Sequence, residues 1–357
     1  MSFHETIFIT GFPGFIAKRL VERLARRDTQ FFLLVQKDFT EKAIGDVEEI
    51  ARKTNTPLEN FALIEGDITR ENLEISEKDL KIIFRETTAV YHLAAVYDLA
   101  VKKEIAYQVN VEGTRNVNEL VKKMSELRRY NYVSTCYVAG RRTGEILETD
   151  LEHDAGFRNF YEETKYLAEM EVEKLKSEFP VTIFRPSVVV GDSESGETAK
   201  YDGIYSLIHY LRKAPHLLRF VNVGNSAVKL NLVPVDFVVE SIAALATDEN
   251  AVGKTVALAD PNPLTTEELF DVISEAMTNK KSVVKPPPLL VEKSLMLPFS
   301  PVLSGLPFPS VPYFFVPQTY DTRIADALLS AHNIACPNFA SYIGNLLKFV
   351  EEHPKLD

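Results

Sequence analysis

Short runs of apolar residues alternate with amphipathic stretches through the first two thirds of the chain. Strands are predicted at 6–10, 31–35, 61–64, 89–93, 130–134 and 181–184. The run Phe31, Phe32, Leu33, Leu34, Val35 is continuous and apolar, as expected of a strand covered on both faces. Between the strands lie helices: 15–27 with Ile16, Leu20 and Leu24 on one face, then 110–126 and 159–178. This alternation predicts an α/β protein with a doubly wound parallel Rossmann sheet.

After Gly191 the pattern changes. Residues 192–203 are polar and read as a loop, 228–234 as a strand returning towards the sheet, 235–247 as a helix and 256–258 as a last short strand. Thr265 with Glu268 three positions on has the form of a capping box. Residues 285–317 hold nine of the 19 prolines and are rich in Leu, Phe and Val. They read as an apolar loop region packed on the protein; Phe299, Phe308, Tyr313, Phe314 and Phe315 are candidates for the wall of an apolar pocket. Helices at 322–329 and 340–352 close the chain. The expected division is a Rossmann domain of 1–190 plus about 227–258. A smaller, mainly helical substrate lobe takes about 191–226 plus 259–357.

Composition narrows the partners. A net charge of −11 argues against nucleic acid, whose phosphates need clustered Lys and Arg. Six prolines within the uncharged stretch 294–320 argue against a membrane-spanning helix there. Two cysteines, Cys136 and Cys336, and no basic leader at the start point to a reducing cytoplasm. No metal is called for.

The chemistry begins at Thr10-Gly11-Phe12-Pro13-Gly14-Phe15-Ile16-Ala17, between the first strand and the first helix. Gly11 permits a tight turn, Gly14 admits a pyrophosphate to the backbone, and the helix N-terminus offers N–H groups. An NAD site usually carries an acid at the end of the second strand, but here stand Val35, Gln36 and Lys37. Lys37, together with Lys18 after the turn, suits a 2′-phosphate, so NADP(H) is favoured over NAD(H). Asp67 can accept from an adenine amino group while Ile68 packs on the ring. Leu93, Ala94 and Ala95 let the backbone approach the cofactor; His92 reads as structural.

Tyr161 and Lys165 fall at i and i+4 of one predicted helix, hence on one face. An ammonium there lowers the phenol pKa and fits the Tyr for proton transfer at a carbonyl oxygen. Such a pair arises by chance in a chain with 14 Tyr. Its place after the Gly-rich turn and after Ser134-Thr135 gives it meaning. Thr135 would bond the substrate oxygen. Asn110, read as opening its helix, could hold a water in a proton relay. Cys136, Tyr137, Ser187 and Tyr97 are further candidates around the substrate.

With these pieces, plus Asn110-Val111-Glu112-Gly113-Thr114 and Arg185-Pro186-Ser187, residues 6–260 resemble the extended short-chain dehydrogenase/reductases, the NAD-dependent epimerase/dehydratase-like group. The resemblance implies Tyr161 as acid/base and Lys165 on the nicotinamide ribose. It also implies that the loop after Pro186, including Val188, contacts the nicotinamide, and that a homodimer is possible. Gly14-Phe15, Tyr161 to Glu169, Val190 to Glu197, Asp202-Gly203 and Val233 to Asp236 look like the fatty acyl-CoA reductase and thioester-reductase branch. Phe12-Pro13 and Ala17 depart from the usual small residues of the turn. The function implied is hydride transfer to an aldehyde, ketone or acyl thioester with an apolar body. The alternatives are a nucleotide-sugar epimerase or dehydratase with tightly held NAD, and a non-catalytic NADP-binding regulator.

Overall fold

The structure, a computed structural model, describes residues 3–213, 221–297 and 308–356. Seven strands form one sheet: β1 (Glu5–Thr10), β2 (Thr29–Val35), β3 (Phe61–Glu65), β4 (Ala89–His92), β5 (Arg129–Val133), β7 (Val181–Pro186) and β10 (Thr255–Leu258). Their order is β10-β7-β5-β4-β1-β2-β3, and every pairing is parallel. The order reverses between β1 and β4, which opens a crevice at the carboxyl ends of those strands. The expected doubly wound Rossmann sheet is present.

Each face is sealed by its own apolar layer. On one side Ile7, Ile9, Phe31, Leu33 and Tyr91 pack with α1 (Phe15–Leu24) and α8 (Val235–Leu245). On the other, Phe8, Phe32, Val90 and Tyr130 pack with α3 (Glu77–Glu86), α5 (Gly113–Val121) and α6 (Phe160–Glu173). Successive residues of one strand go to opposite faces, so both parities must be apolar.

The helix expected at 110–126 begins earlier. Lys103–Ala106 (α4) runs through a π-helical turn, Tyr107–Glu112, into α5. Asn110 therefore sits inside the helix, not at its start. The returning strand is also different. Residues Leu232–Pro234 (β9) pair with Val188–Val190 (β8) in a separate two-stranded ribbon, not with the large sheet.

A third apolar cluster gathers α7 (Ile204–Lys213), α9 (Thr266–Thr278) and the last helix, α12 (Phe339–Glu352). Thr265 and Glu268 form the expected capping box on α9. Within the apolar region read as loop, Pro288–Leu295 forms α10. Its first residue is Pro288, where a missing N–H costs nothing because no acceptor precedes it. The region is pinned at both ends. Val221 bridges Val284 before it, and Gln318–Tyr320 (β11) pairs with Gly144–Ile146 (β6) after it. Among the described residues no helix is long and apolar enough to cross a membrane.

Glu148 shows how this outer layer is fastened. Its buried carboxylate accepts backbone N–H bonds from Ala257 of β10 at 2.8 Å, and from Ile324 at 2.5 Å and Ala325 at 3.0 Å at the start of α11 (Arg323–Ser330). Burial outweighs these donors and raises the carboxyl from 4.5 to about 7. The folded state thus keeps a proton that the unfolded state loses between those pH values. The contribution of Glu148 to stability must fall as pH rises through that window, by no more than about 3 kcal/mol. Urea unfolding of wild type and Glu148→Gln from pH 4 to 8 should show a steeper decline for wild type. Parallel curves would remove Glu148 as the cause.

Candidate active site

The Gly-rich turn joins β1 to α1, with the Phe12–Pro13 peptide cis. Gly11 has φ +90°, and a Cβ there would lie 2.8 Å from the Ala94 nitrogen. Thr10, buried at the end of β1, accepts from the Ala94 N–H at 3.2 Å, so the end of β4 is laced to the turn. Gly14 caps α1 without any side-chain bond, and no acid stands in the first turn. An uncapped helix start beside a glycine with no room for a side chain fits the pyrophosphate of a dinucleotide. The Phe12 side chain is in the core, and Phe15 and Ile16 pack against it; their backbone forms the turn.

Around this cradle some expected residues are in place and others are not. Leu93 and Ala94 face Gly11 across the turn, and Ala95 follows half-buried. Gln36 and Lys37 are exposed at the end of β2, and Lys37 enters no ion pair with the described residues. Lys18 does. Its ammonium lies 2.7 Å from both Asp46 and Glu49, so its charge is committed to α2 (Thr40–Thr54). A cation not foreseen is Lys42, which donates to the Pro13 carbonyl at 3.0 Å. Asp67 Oδ1 accepts from the Thr69 N–H at 2.8 Å. Ile68 is buried in the sheet-face cluster against Gly113, where a Cβ would meet it at 2.7 Å. Its side chain fills the core instead of facing an adenine.

Helix α6 carries the reactive pair. Asn159 caps it through the Glu162 N–H at 3.0 Å. Lys165 is buried and donates to the Tyr132 hydroxyl and the Val133 carbonyl, both at 2.9 Å. Its Nζ also lies 4.5 Å from the centre of the Tyr132 ring. Burial lowers Lys165 to about 7, against the opposing charge of Glu169. Burial also raises Tyr161 to about 12, although Thr135 stands within hydrogen-bonding reach. The expected lowering of Tyr161 is thus outweighed by desolvation, with Thr135 opposing it. Tyr161 is neutral at pH 7 and suited to give a proton away.

Thr135 is buried and accepts from the Tyr137 N–H at 3.2 Å. Asn110 is fully engaged: Oδ1 accepts from the Val96 N–H at 2.9 Å, and Nδ2 donates to the Val96 carbonyl and to Thr164 Oγ1. It clamps the loop after β4 to α6, with both amide hydrogens used and one lone pair left on Oδ1. Cys136 is likewise withdrawn from the substrate side, its thiol donating to the Arg185 carbonyl at 3.1 Å and pushed up in pKa by burial. Pro186 ends β7, Ser187 bonds Asn231 at 2.7 Å, and Val188 opens the β8–β9 ribbon. Tyr97 is 60% exposed, with Lys200 over its ring.

Two cavities flank residues 313–316. Tyr137, Val188, Lys229, Tyr313 and Tyr320 are among those lining one; Leu207, Phe270, Leu295, Phe314 and Phe315 line the other, which is apolar. Phe299 and the Phe308 side chain lie outside the described residues. Tyr313 lies tilted against Tyr137, 4.5 Å between ring centres, and donates to the buried Glu162 at 2.6 Å, tying this segment to the first turn of α6. The sequence signal for such ties was available in α6. Glu162, Lys165 and Glu169 are charged, yet they share the face that carries Ala168 and Val172 into the core.

Residues 9–242 match the family model described as male sterility protein. The chain belongs to that family. It is 27% identical over 278 residues to the fatty acyl-CoA reductase wat of Drosophila melanogaster. It is 29% identical over 282 residues to fatty acyl-CoA reductase 1 of Mus musculus. Each match covers 68% of this chain and 54% of the relative, so this family member spans about half the length of the curated relatives it matches. Its fold is that of the terminal R domain from the myxalamid PKS-NRPS biosynthetic pathway, with TM-score 0.82 and 23% identity over 99% of this chain and 92% of that one. It is also that of UDP-glucuronic acid 4-epimerase from Bacillus cereus in complex with NAD, with TM-score 0.68 and 18% identity over 98% and 100%. Family and fold together give this member a Rossmann sheet of the NAD-binding kind.

Proposed function

We propose that this chain uses NADPH to reduce the carbonyl of an apolar acyl thioester, or of the related aldehyde or ketone, with Tyr161 as the acid. The observation that carries this reading is a neutral Tyr161 with Thr135 in reach and Lys165 held one helical turn away. Bound NADPH would supply a hydride to the carbonyl carbon. As charge gathers on the carbonyl oxygen, Tyr161 donates its phenolic proton and Thr135 donates a hydrogen bond. The Lys165 ammonium favours the tyrosinate left behind. On this reading 1–190 plus about 227–258 bind the cofactor, while 191–226 and 259–357 cover the substrate. The reactive group enters beside Tyr137 and Val188, and the apolar body lies against Phe314 and Phe315.

The names of the relatives, fatty acyl-CoA reductases, support an acyl substrate. NADPH is supported by the absence of an acid at the end of β2, and by Lys37, exposed there. The same absence, with the apolar residues around Phe314 and Phe315, weighs against the nucleotide-sugar reading. The test is oxidation of NADPH and NADH with a panel of long-chain acyl-CoAs, aldehydes and ketones. Turnover is expected with long-chain acyl-CoA. NADPH should be preferred at least about tenfold, and Lys37→Ala should erode that preference. Indifference to the 2′-phosphate, or release of bound NAD on denaturation, would reject this assignment.

A further inference from the structure

Behind the reactive pair, a line of polar side chains crosses the interior of the sheet. Thr10 Oγ1 lies 2.7 Å from Nδ1 of His92. His92 Nε2 lies 3.1 Å from Thr114 Oγ1. The Thr114 hydroxyl is within hydrogen-bonding reach of the Tyr132 phenol. The Tyr132 oxygen accepts from Lys165 at 2.9 Å. All five residues are buried, and they come from β1, β4, α5, β5 and α6.

The line has a direction. An ammonium can only donate, so the Tyr132 oxygen accepts and its own hydrogen turns to Thr114. The Thr114 hydrogen then goes to His92 Nε2. His92 carries its hydrogen on Nδ1 and donates to Thr10, which already accepts the Ala94 N–H. This needs a neutral imidazole, and burial with the nearby Lys165 charge lowers His92 to about 3. The line therefore joins Lys165 to Thr10, at the head of the nucleotide turn.

Apolar residues would fill this space at lower cost than buried polar groups that must all be satisfied. Tyr91, on the neighbouring strand, is buried with apolar residues around it. We infer that Tyr132 is a positioning residue that sets the place and proton affinity of Lys165 and, through Thr114 and His92, ties it to the Gly-rich turn. The role of Lys165 itself rests on the reductase reading; the tie does not. The titratable groups facing Lys165 are Glu169 and Tyr161 on its own helix, His92 on β4 and Tyr132 on β5.

Tyr132→Phe removes one oxygen and keeps the ring beneath the ammonium. Lys165 then loses an acceptor that favours its charged form, so its titration must move to lower pH. In protein labelled with 13Cε-lysine, with the Lys165 signal identified through Lys165→Met, the midpoint should drop by about one unit. Thr114→Val should move it less, in the same direction. Tyr130→Phe, which removes a buried phenol from the same strand where it bonds Asn118 at 2.7 Å, should leave it in place. With a substrate in hand, Tyr132→Phe should lower kcat about tenfold with little change in KM, and its pH profile should shift with Lys165.

A Lys165 midpoint unmoved by Tyr132→Phe, or moved equally by Tyr130→Phe, overturns the inference. If Tyr132→Phe does not fold, Thr114→Val decides: a downward shift supports the chain and an unmoved midpoint rejects it. The titration needs no substrate. If no carbonyl compound is reduced, the tie can still stand while the proposed activity falls.

Discussion

Replacing Tyr161 by Phe is expected to lower turnover about 10²- to 10⁴-fold, the range associated with loss of a general acid. The ring is retained and only the hydroxyl goes, so Lys165 keeps its bonds to Tyr132 and Val133. NADPH affinity and the melting temperature should therefore change little. The direction of the effect follows from the site. With Tyr161 raised to about 12, wild type holds its acid protonated across the neutral range, with Thr135 beside it. Thr135, an aliphatic alcohol, is too weak an acid to stand in. Steady-state rates with the best substrate of the panel, beside a binding titration, check this. Turnover within about threefold of wild type would show that another group gives the proton.

Arg185→Met should be the most damaging single change to stability. Arg185 donates to Glu169 Oε1 at 2.9 and 2.6 Å and to the Glu148 and Asp150 carbonyls at 3.1 Å. Ser134 donates to the other Glu169 oxygen. Glu169 is 0% exposed. Methionine leaves its buried carboxylate without the guanidinium partner, for a loss of roughly 3–5 kcal/mol. The surface pair Arg115–Glu112 has solvent at both partners and contributes little by comparison. Adding Glu169→Leu to Arg185→Met removes the stranded charge and should recover much of the loss, because an apolar pair of similar volume is tolerated. Urea unfolding of the single and double variants measures both steps. A double variant as unstable as the single one would place the loss in packing, not charge.

The large sheet could be read from the chain because both faces of its strands are covered. Phe31 to Val35 must then be apolar at every position, and no surface alternation hides it. The turn could be read because Gly11 and Gly14 answer a local backbone demand. What could not be read depends on distant partners. Lys18 and Lys37 look alike in sequence, but only the fold brings Asp46 and Glu49 to the first of them. Asn110 looked like a helix start because the apolar period begins there; the π turn moved it inside. Ile68 looked available beside Asp67, yet Gly113 leaves exactly the space that its side chain fills. Tyr132 was hidden for the opposite reason. In a buried strand, a tyrosine is indistinguishable by pattern from a phenylalanine, and only Lys165, 33 positions on, reveals its oxygen.

The apolar region between the Val221–Val284 bridge and the β11–β6 ribbon has its ends moored to different parts of the molecule. A span held at both ends can change its length or its side chains without displacing what it is moored to, since closing a somewhat longer loop adds little entropy. On the proposed function, chemistry and selectivity are thereby carried by separable stretches of chain. Divergence, or an engineer, would then rewrite the residues around Phe314 and Phe315 to admit a different acyl group. The register of Tyr161 is kept as long as Tyr313 keeps its bond to Glu162.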